Sequence, residues 1–376
     1  METVEIGIES PRALAGQRIT GQRVPVGVPA DYKPCIARLP DGRLLLVAFA
    51  PFQLEEGRQR EEILLFRSED GGATWSDAEN LTTGHGLLGR EPYFTVLRDG
   101  TVLMTVHFLS RDVRNPTGYT RSFVHRSADG GRTWTTTVAE PEGMAPGGSS
   151  CTTRTVLELA DGSLLLGVGS TGTPYLWRSR DGGETWPERH PAVIEELGED
   201  YPFPFLGEAV WWQAPSGRIL VLARLDSAHA GRFAVQVDDP EFGRSDNVDR
   251  LILYSSDDRG RSFRPLEAFG RPGEMYPAIL RLQDERLLLT FTVRAMHRPL
   301  GVRAVVGRET HDGFAFDLRN DLLMLDVQTA LGVYSGGGFG RTVQLDDGML
   351  VTSYSWRDAQ FVVHSEVVRW RLPPAG

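Results

Sequence analysis

The sequence predicts an all-β protein, a six-bladed β-propeller with four antiparallel strands per blade. Two repeats predict this fold. The first is a short turn, written FRSEDGGATW at residues 66–75, HRSADGGRTW at 125–134 and WRSRDGGETW at 177–186. The second is a longer frame, in which a hydrophobic run, a turn of the LPDGRLLL type and a second hydrophobic run recur six times along the chain.

The longer frame predicts the strands and their closure. Its turns align on six residues, which are Gly42, Gly100, Gly162, Gly217, Glu285 and Gly348. The runs are short, β-branched and bounded by turn residues, as strands are. A period of about 60 residues that fits six times is typical of a closed repeat architecture, and a propeller takes up such a repeat without long free sheet edges. The pattern contains no long helix and no linker, so we expect a single domain over residues 1–376.

The shorter repeat predicts a structural turn. A looser fourth copy, YSSDDRGRSF, occupies residues 254–263, and a degenerate fifth lies near residues 309–316. In the first copy, Ser68 and Asp70 can bond backbone N–H groups of a tight turn. Gly72 can adopt a positive φ, and Trp75 can pack between neighbouring sheets. We therefore expect these residues to hold the outer hairpin of each blade and to take no part in chemistry.

Composition narrows the classes of partner. The 376 residues carry a formal net charge of −10, which argues against a nucleic-acid or anionic-membrane surface. The two cysteines, Cys35 and Cys151, provide neither a disulfide framework nor metal-ligand spacing, and we expect no metal and no cofactor. The N-terminal residues METVEIGIES do not resemble a secretion signal. We therefore expect a cytoplasmic protein, or a secreted one if a leader has been removed.

The turns locate a candidate site by elimination. In a four-stranded meander the strand 1–2 and strand 3–4 turns lie on one face, so the opposite face receives the starts of the innermost strands and the ends of the second strands. Counting back eight to ten residues from each aligned turn gives the strand starts, which are Tyr32, Lys33, Arg90, Glu91, Thr153, Arg154, Glu208, Tyr276 and Phe339. Counting forward seven gives second-strand ends, among them His107 and Arg224. Charges at a narrow channel are costly unless they are paired or used, so this set predicts a polar ligand site.

The turns and the six frames resemble those of the sialidase-like propellers, the neuraminidase or BNR Asp-box repeat family, and the resemblance covers essentially the whole chain. Sialidases hold a substrate carboxylate with three arginines, and a tyrosine attacks the anomeric carbon. A glutamate takes the tyrosine's proton, and an aspartate serves as acid/base. The resemblance assigns the glutamate to Glu208, the second arginine to Arg224 and the third to Arg298, with Arg294 and Arg303 as alternatives.

Three positions depart from the family pattern. The chain has DYKPC where the family begins its first blade with an arginine, so Tyr32 takes that position and Lys33 lies beside it. Lysine supplies a point charge but not a planar bidentate fork. Phe339 occupies the nucleophile position, with Tyr334 five residues upstream as a substitute. The acid/base loop offers Glu55 and Glu56 instead of an aspartate.

The sequence leaves two classes of function open. The first is a sialidase-like exo-glycosidase acting on an acidic or polar sugar. Its predicted catalytic residues are Glu208, Tyr334, Glu56 and Glu91, and its predicted substrate-binding residues are Arg224, Arg298, Arg90, Arg154, Lys33, Tyr32 and His107. Variants of this class are a hydrolase that uses Glu91 and Glu208 as paired carboxylates and a polysaccharide lyase.

The second class is a propeller that has lost its chemistry and serves as a carbohydrate-binding or interaction module. In that case Glu208 and Arg224 form an ion pair that closes the channel, and Arg90 and Glu91 form another. His107 is expected either to donate a proton or to bond a neighbouring strand. Of the pair Trp211 and Trp212, one is expected in the core and the other on a sugar platform. Residues 226–249, an insertion in the fourth frame, are expected to stand over the channel.

Overall fold

The fold is all-β. The structure is a computed structural model, and it describes residues 1–170, 173–194, 208–225, 249–294, 299–329 and 338–373. The chain begins with two antiparallel strands, β1 (Glu2–Glu9) and β2 (Ile19–Val26), which later complete a large sheet. No helix among the described residues is long and apolar enough to cross a membrane.

Two four-stranded antiparallel sheets follow, and each runs outward in chain order. The first sheet contains β3 (Tyr32–Arg38), β4 (Leu44–Gln53), β5 (Gln59–Ser68) and β6 (Glu79–Asn80). A 3₁₀ turn (Glu55–Gly57) lies between β4 and β5, and a short helix, α1 (Leu81–His85), follows β6. The second sheet contains β7 (Arg90–Val96), β8 (Val102–Phe108), β9 (Arg121–Ser127) and β10 (Thr135–Val138).

The third and fourth sheets follow the same meander with small additions. In the third sheet the innermost strand is split in two, and the strands are β11 (Ser150–Thr152), β12 (Leu157–Glu158), β13 (Leu164–Ser170), β14 (Thr173–Ser179) and β15 (Glu188–Pro191). In the fourth, a short strand that precedes the meander pairs in parallel with its last strand. Its strands are β16 (Val193–Ile194), β17 (Ala209–Gln213), β18 (Ile219–Leu225), β19 (Arg250–Ser256) and β20 (Ser262–Phe269).

The last part of the chain joins its beginning in a sheet of ten described strands. Its first half contains β21 (Glu274–Arg281), β22 (Arg286–Val293), β23 (Gly301–Thr310), β24 (Gly313–Phe316) and β25 (Leu322–Asp326). Its second half contains β26 (Gly338–Gln344), β27 (Leu350–Arg357) and β28 (Val363–Trp370), followed outward by β2 and β1. Strand β1 links the halves, because residues 2–6 pair with β2 while residues 7–9 pair with β25.

The four repeated turns have the predicted structural role. In each, the serine two residues before the aspartate donates to its Oδ1, at 2.7 to 2.9 Å. The same serine accepts the N–H of the glycine four residues after it, at 2.8 to 2.9 Å. Gly72 has a φ of 82°, and a Cβ added there would lie 3.2 Å from Val351 of another sheet. Trp75 packs in the cluster that contains Val351. The turns therefore join each sheet to its neighbour.

The strand registers place these turns and the predicted site at opposite ends of the first sheet. Ser68, which begins the first turn, pairs with Leu44, and Leu44 pairs with Arg38 at the end of β3. Tyr32, at the start of β3, pairs instead with Phe49. The turns consequently lie on the side away from the inner-strand starts, as the sequence predicts.

Candidate functional site

The starts of four inner strands share one backbone irregularity. The ladders of β3, β7, β21 and β26 each contain a register shift beside the strand start. In each shift a residue other than glycine has a left-handed φ, with Lys33 at 51°, Glu91 at 50°, Tyr276 at 56° and Phe339 at 66°. Such φ values are costly for residues with a side chain and persist where the surrounding packing holds them. Because a bulge re-aims the side chain, all four leave their ladders at the same end of the sheets.

Side chains from all six repeats meet at this end. We call them the inner-strand cluster, which consists of Lys33, Glu91, Arg154, Glu208, Tyr276 and Phe339. The ammonium of Lys33 contacts the carboxylate of Glu91. Nη2 of Arg154 lies 3.3 Å from Oε2 of Glu91 and 2.7 Å from Oε1 of Glu208. Arg154 thereby joins two carboxylates from neighbouring repeats.

Two further arginines extend the ion pairs outward. Nη1 of Arg224 is 2.6 Å from Oε2 of Glu208, the ion pair that the sequence predicts for a propeller without catalysis. Nε of Arg224 is 2.7 Å from Oδ2 of Asp249, a buried carboxylate just before β19. On the other side, Nη2 of Arg90 lies 3.4 Å from Oε1 of Glu91.

Aromatic rings form one side of the inner-strand cluster. The rings of Tyr276 and Phe339 have centroids 4.1 Å apart, and the guanidinium of Arg154 lies 4.9 Å from each centroid. The ammonium of Lys33 is 4.6 Å from the centroid of Phe339. Tyr32 packs edge-on against Phe339 at 5.9 Å. Cations held over ring faces in this way gain electrostatic stabilisation, which offsets part of the cost of burying them.

The charges of the cluster set its protonation states. Burial would raise the pKa of Glu208, but Arg224 and Arg154 lower it to about 2. Burial likewise opposes ionisation of Glu91, yet Lys33, Arg90 and Arg154 hold its pKa well below the usual range. Burial lowers the pKa of Lys33 to about 8, although Glu91 acts in the opposite direction. At neutral pH the cluster therefore holds two ionised carboxylates.

A third carboxylate, Glu61, lies next to the cluster and was not identified from the sequence. It is at the start of β5, it is 2% exposed, and its Oε1 lies 3.3 Å from Nη1 of Arg90. Burial raises the pKa of Glu61 to about 7, against the opposing charge of Arg90. Its register partner is Pro51 of β4. The same residue count, if extended from the ends of the second strands to the starts of the third strands, identifies Glu61.

Other predicted residues have structural partners. His107 pairs in register with Arg90, and its Nδ1 lies 3.2 Å from Oγ of Ser122 on the neighbouring strand. Burial lowers the pKa of His107 to about 4, so the ring is neutral at pH 7. Trp211 is in the core, as expected of one member of its pair. Trp212 donates from Nε1 to Oε1 of Glu309 at 2.9 Å, so it lies between two sheets rather than on a sugar platform.

The two described candidates for the third arginine, Arg294 and Arg303, have different surroundings. Arg294 is close to the cluster, with its guanidinium 4.6 Å from the ring centroid of Tyr276. Arg303 is buried on β23, where it lies 3.3 Å from Glu9 and donates to backbone carbonyls of Pro299 and Asp326. Arg298, Tyr334, the side chain of Glu56 and residues 226–248 of the expected covering segment lie outside the described residues. Their predicted roles stay predictions.

Within the described ranges, the structure contains no grouping of three or more histidine, cysteine, aspartate or glutamate side chains suited to hold a metal ion. The side chains of the inner-strand cluster supply carboxylates, cations and a phenol, groups suited to ionic recognition, proton transfer and nucleophilic attack.

Sequence comparison places the chain among repeat proteins of known type. A family model described as a BNR repeat-like domain matches residues 28–289. A sialidase from Paraclostridium sordellii is 31% identical over 137 residues, which is 33% of this chain and 32% of the sialidase. The match thus spans about a third of that relative's length.

Structural comparison identifies glycosidases with the same fold. A sialidase from Streptococcus pneumoniae superposes with a TM-score of 0.60 at 12% identity, over 91% of this chain and 68% of that one. An α-L-arabinofuranosidase from Fusarium graminearum superposes with a TM-score of 0.57 at 13% identity, over 98% of both chains. At these identities the likeness shows the fold alone.

Proposed function

Because the chain belongs to the BNR repeat-like domain family, we propose that it is a sialidase-like glycoside hydrolase that acts on an acidic or polar sugar at the inner-strand cluster. The observation that carries this proposal is the pair of ionised carboxylates, Glu91 and Glu208, that Arg154 holds together where the six repeats meet. A protein that used its sheets only as a scaffold would not need two buried carboxylates at a strained backbone.

The spacing of the two carboxylates suits glycoside chemistry. An oxygen of each contacts the same nitrogen of Arg154, at 3.3 and 2.7 Å. These oxygens are consequently at most about 6 Å apart, so one sugar residue can contact both carboxylates. The stereochemical outcome would depend on the distance from Glu208 to the separate proton donor. We assign Glu208, whose pKa is about 2, as the ionised group that attacks the anomeric carbon or takes a proton from the attacking group. Glu91, which contacts the same nitrogen of Arg154, is the second ionised carboxylate of the proposed site.

Ionised carboxylates leave the proton donor to be found elsewhere. Glu61 is the candidate, because burial raises its pKa to about 7 and a general acid works best when its pKa is near the working pH. The donated proton would go to the leaving-group oxygen as the glycosidic bond breaks. Glu56 in the neighbouring 3₁₀ turn is the alternative donor, and Tyr334 is the alternative nucleophile, with Glu208 then acting as its base.

The cations define the kind of sugar. Lys33, Arg90, Arg154 and Arg224 lie within the ion-pair network, and Arg298 is proposed to complete it. Arginine forks recognise carboxylates bidentately, whereas Lys33 supplies a point charge. We therefore propose weaker selection for a sugar carboxylate than three arginines would give, and turnover of sialic acid that is poor or nil. The arabinofuranosidase among the structural neighbours makes a neutral furanoside a second substrate to test.

The contacts of the inner-strand cluster also support six blades around one axis. Neighbouring repeats meet through Lys33 and Glu91, Glu91 and Arg154, and Arg154 and Glu208. The ring of Phe339 then meets Tyr276 on one side and Lys33 on the other. We propose that the ten-stranded sheet represents the fifth and sixth blades, joined through β1.

A carbohydrate-binding module without catalysis is the second candidate. It is favoured by the completeness of the ion pairs, since Glu208 accepts from two arginines and Arg224 also contacts Asp249. Carboxylates that already have partners can hold the channel closed without a substrate. Phe339 at the nucleophile position fits this alternative as well.

Kinetics on a panel of aryl glycosides distinguishes the two candidates. The panel should contain a sialoside, a glucuronide and an arabinofuranoside, assayed with the wild type, Glu208→Gln and Glu91→Gln. We expect each substitution to lower kcat by about 10²- to 10⁴-fold on the best substrate, as for loss of an acid/base group. Glu285→Gln, an exposed carboxylate at the opposite end of the sheets, is the control and should keep full activity.

Binding of the same sugars is measured in parallel. Binding to the wild type without turnover of any glycoside would support the module and exclude the hydrolase. Turnover that survives both Glu208→Gln and Glu91→Gln would place the chemistry outside the inner-strand cluster.

A further inference from the structure

A concavity lies at the other end of the inner strands. A pocket of about 450 Å³ opens where β3, β7, β21 and β26 finish, among sheets from four repeats. These strands begin at the inner-strand cluster, so the pocket and the cluster occupy opposite ends of the same strands. Its volume falls in the range of sites for small molecules.

The charged residues that line this pocket are arginines. Within the described part of the chain, its lining includes Arg38, Arg281 and Arg341 and no carboxylate. The first two have acidic partners at the rim, where Arg38 lies 2.6 Å from Asp346 and Arg281 lies 2.6 Å from Glu309. The third has a different set of neighbours.

Arg341 extends from β26 across the inner strands to uncharged groups. Its Nη1 donates to the carbonyl oxygen of Phe94 and lies 3.5 Å from Sγ of Cys35. Its guanidinium is 4.9 Å from the ring centroid of Tyr93. Among the described residues no carboxylate lies within salt-bridge distance of it. A largely buried guanidinium without a counter-charge is costly, and an anion in the pocket would supply that charge.

Three uncharged polar residues of the wall, Gln283, Gln344 and Thr342, bond other groups of the protein. Gln283 donates its backbone N–H to Oε1 of Gln344 at 2.8 Å and its side-chain amide to the carbonyl of Leu345. Thr342 bonds Thr352. Among the charged residues of this wall, Arg341 is the one without a carboxylate partner in the described part of the chain.

We propose that this pocket binds a small oxyanion, either phosphate or the carboxylate of a sugar acid, with Arg341 as its main ligand. Guanidinium N–H groups recognise both oxyanions through charge-assisted hydrogen bonds. The site is separate from the inner-strand cluster, and the proposal does not depend on glycosidase activity.

Calorimetric titration of the full chain with inorganic phosphate, and separately with glucuronate, tests the site. We expect Arg341→Gln to weaken binding by about tenfold or more, the typical effect of losing a hydrogen bond to a charged group. Since this substitution alters a residue that crosses between sheets, Ala278→Leu is the second variant. It narrows the pocket without touching a charge, and it should weaken binding too. The relative affinities for phosphate and glucuronate identify which oxyanion the pocket prefers.

Two controls assign the binding to this pocket. Arg18→Gln removes an exposed arginine on another part of the surface and should change nothing. Lys33→Met alters the cationic cluster at the far end and should leave binding here intact. The proposal is overturned if neither oxyanion binds the wild type, or if Arg341→Gln and Ala278→Leu leave the affinity and stoichiometry of both oxyanions unchanged. Glucuronate bound at the inner-strand cluster would persist in these variants as a separate site. Loss of binding through Lys33→Met alone would also overturn it, because the ion would then occupy the inner-strand cluster.

Discussion

Substitution of Glu61 tests both the electrostatics and the proposed chemistry of the site. The carboxyl is 2% exposed and has a pKa of about 7, raised from 4.5 chiefly by burial. A raised pKa means that the stability this group contributes is fully present below pH 4.5 and is lost as the pH rises through 7. A shift of this size corresponds to about 3 kcal/mol in the free energy of unfolding.

Glu61→Gln removes the titration while it keeps the shape of the side chain. We therefore expect the wild type to lose about 3 kcal/mol relative to this variant between about pH 4 and about pH 8. Denaturant unfolding at several pH values measures the difference, and most other titrating groups cancel in it. A difference that stays constant across this range would refute the inference that Glu61 is buried in its neutral form.

Activity provides the second test of the same variant. If Glu61 protonates the leaving group, wild-type kcat/KM should fall as the pH rises through about 7, and Glu61→Gln should abolish that limb. The loss in rate should be larger for poor leaving groups than for activated aryl groups. Glu62→Gln, at the adjacent position and paired with Arg60 at 3.0 Å, is the matched control and should keep the wild-type pH profile. If Glu61→Gln shows the expected stability change but keeps full activity, Glu61 is not the proton donor. The inference that it is buried in its neutral form would still hold.

Three further predictions concern the cluster and the turns. Because the pKa of Lys33 is lowered, the unfolded chain binds more protons than the folded chain between pH 8 and 10.5. The free energy of unfolding of the wild type relative to Lys33→Met should therefore rise by about 3 kcal/mol across that window. A difference between the two proteins that does not change with pH in denaturant unfolding would contradict this. Trp186 is 2% exposed in a core cluster, and Trp186→Ala should destabilise the fold by about 3–5 kcal/mol, whereas a change in melting temperature near zero would disprove its packing role. Ser179 accepts the N–H of Gly183 at 2.9 Å, so Ser179→Ala should cost about 1–3 kcal/mol and leave kcat unchanged; an equal loss of activity in correctly folded protein would mean that the turn does more than hold the hairpin.

The parts of the fold that repeat could be predicted from the sequence. The turn at Ser68 is formed by bonds within seven residues, so its chemistry is visible in the sequence itself. Side chains alternate along a strand with a period of two. Because neighbouring strands are antiparallel, counting in both directions from the turn at Gly100 leads to Glu91 and His107 at the same end of the sheet. The same arithmetic led to Arg154 and Glu208, whose side chains meet Glu91 in the structure.

The partners at the site were decided by the tertiary structure. Lys33 and Glu91 are 58 residues apart, and their contact depends on how two sheets are placed and on a bulge at each strand start. The raised pKa of Glu61 comes from burial, which no local pattern encodes. The contacts of Arg341 likewise depend on the tertiary structure, because its neighbours Cys35 and Phe94 belong to two other repeats. The strands, the turns and the end of the sheets where charges gather can be predicted from the sequence, since they follow from local bonding and from the strand period. Which charges pair, which carboxylate stays protonated and which arginine has no carboxylate partner among the described residues depend on packing between residues far apart in the chain.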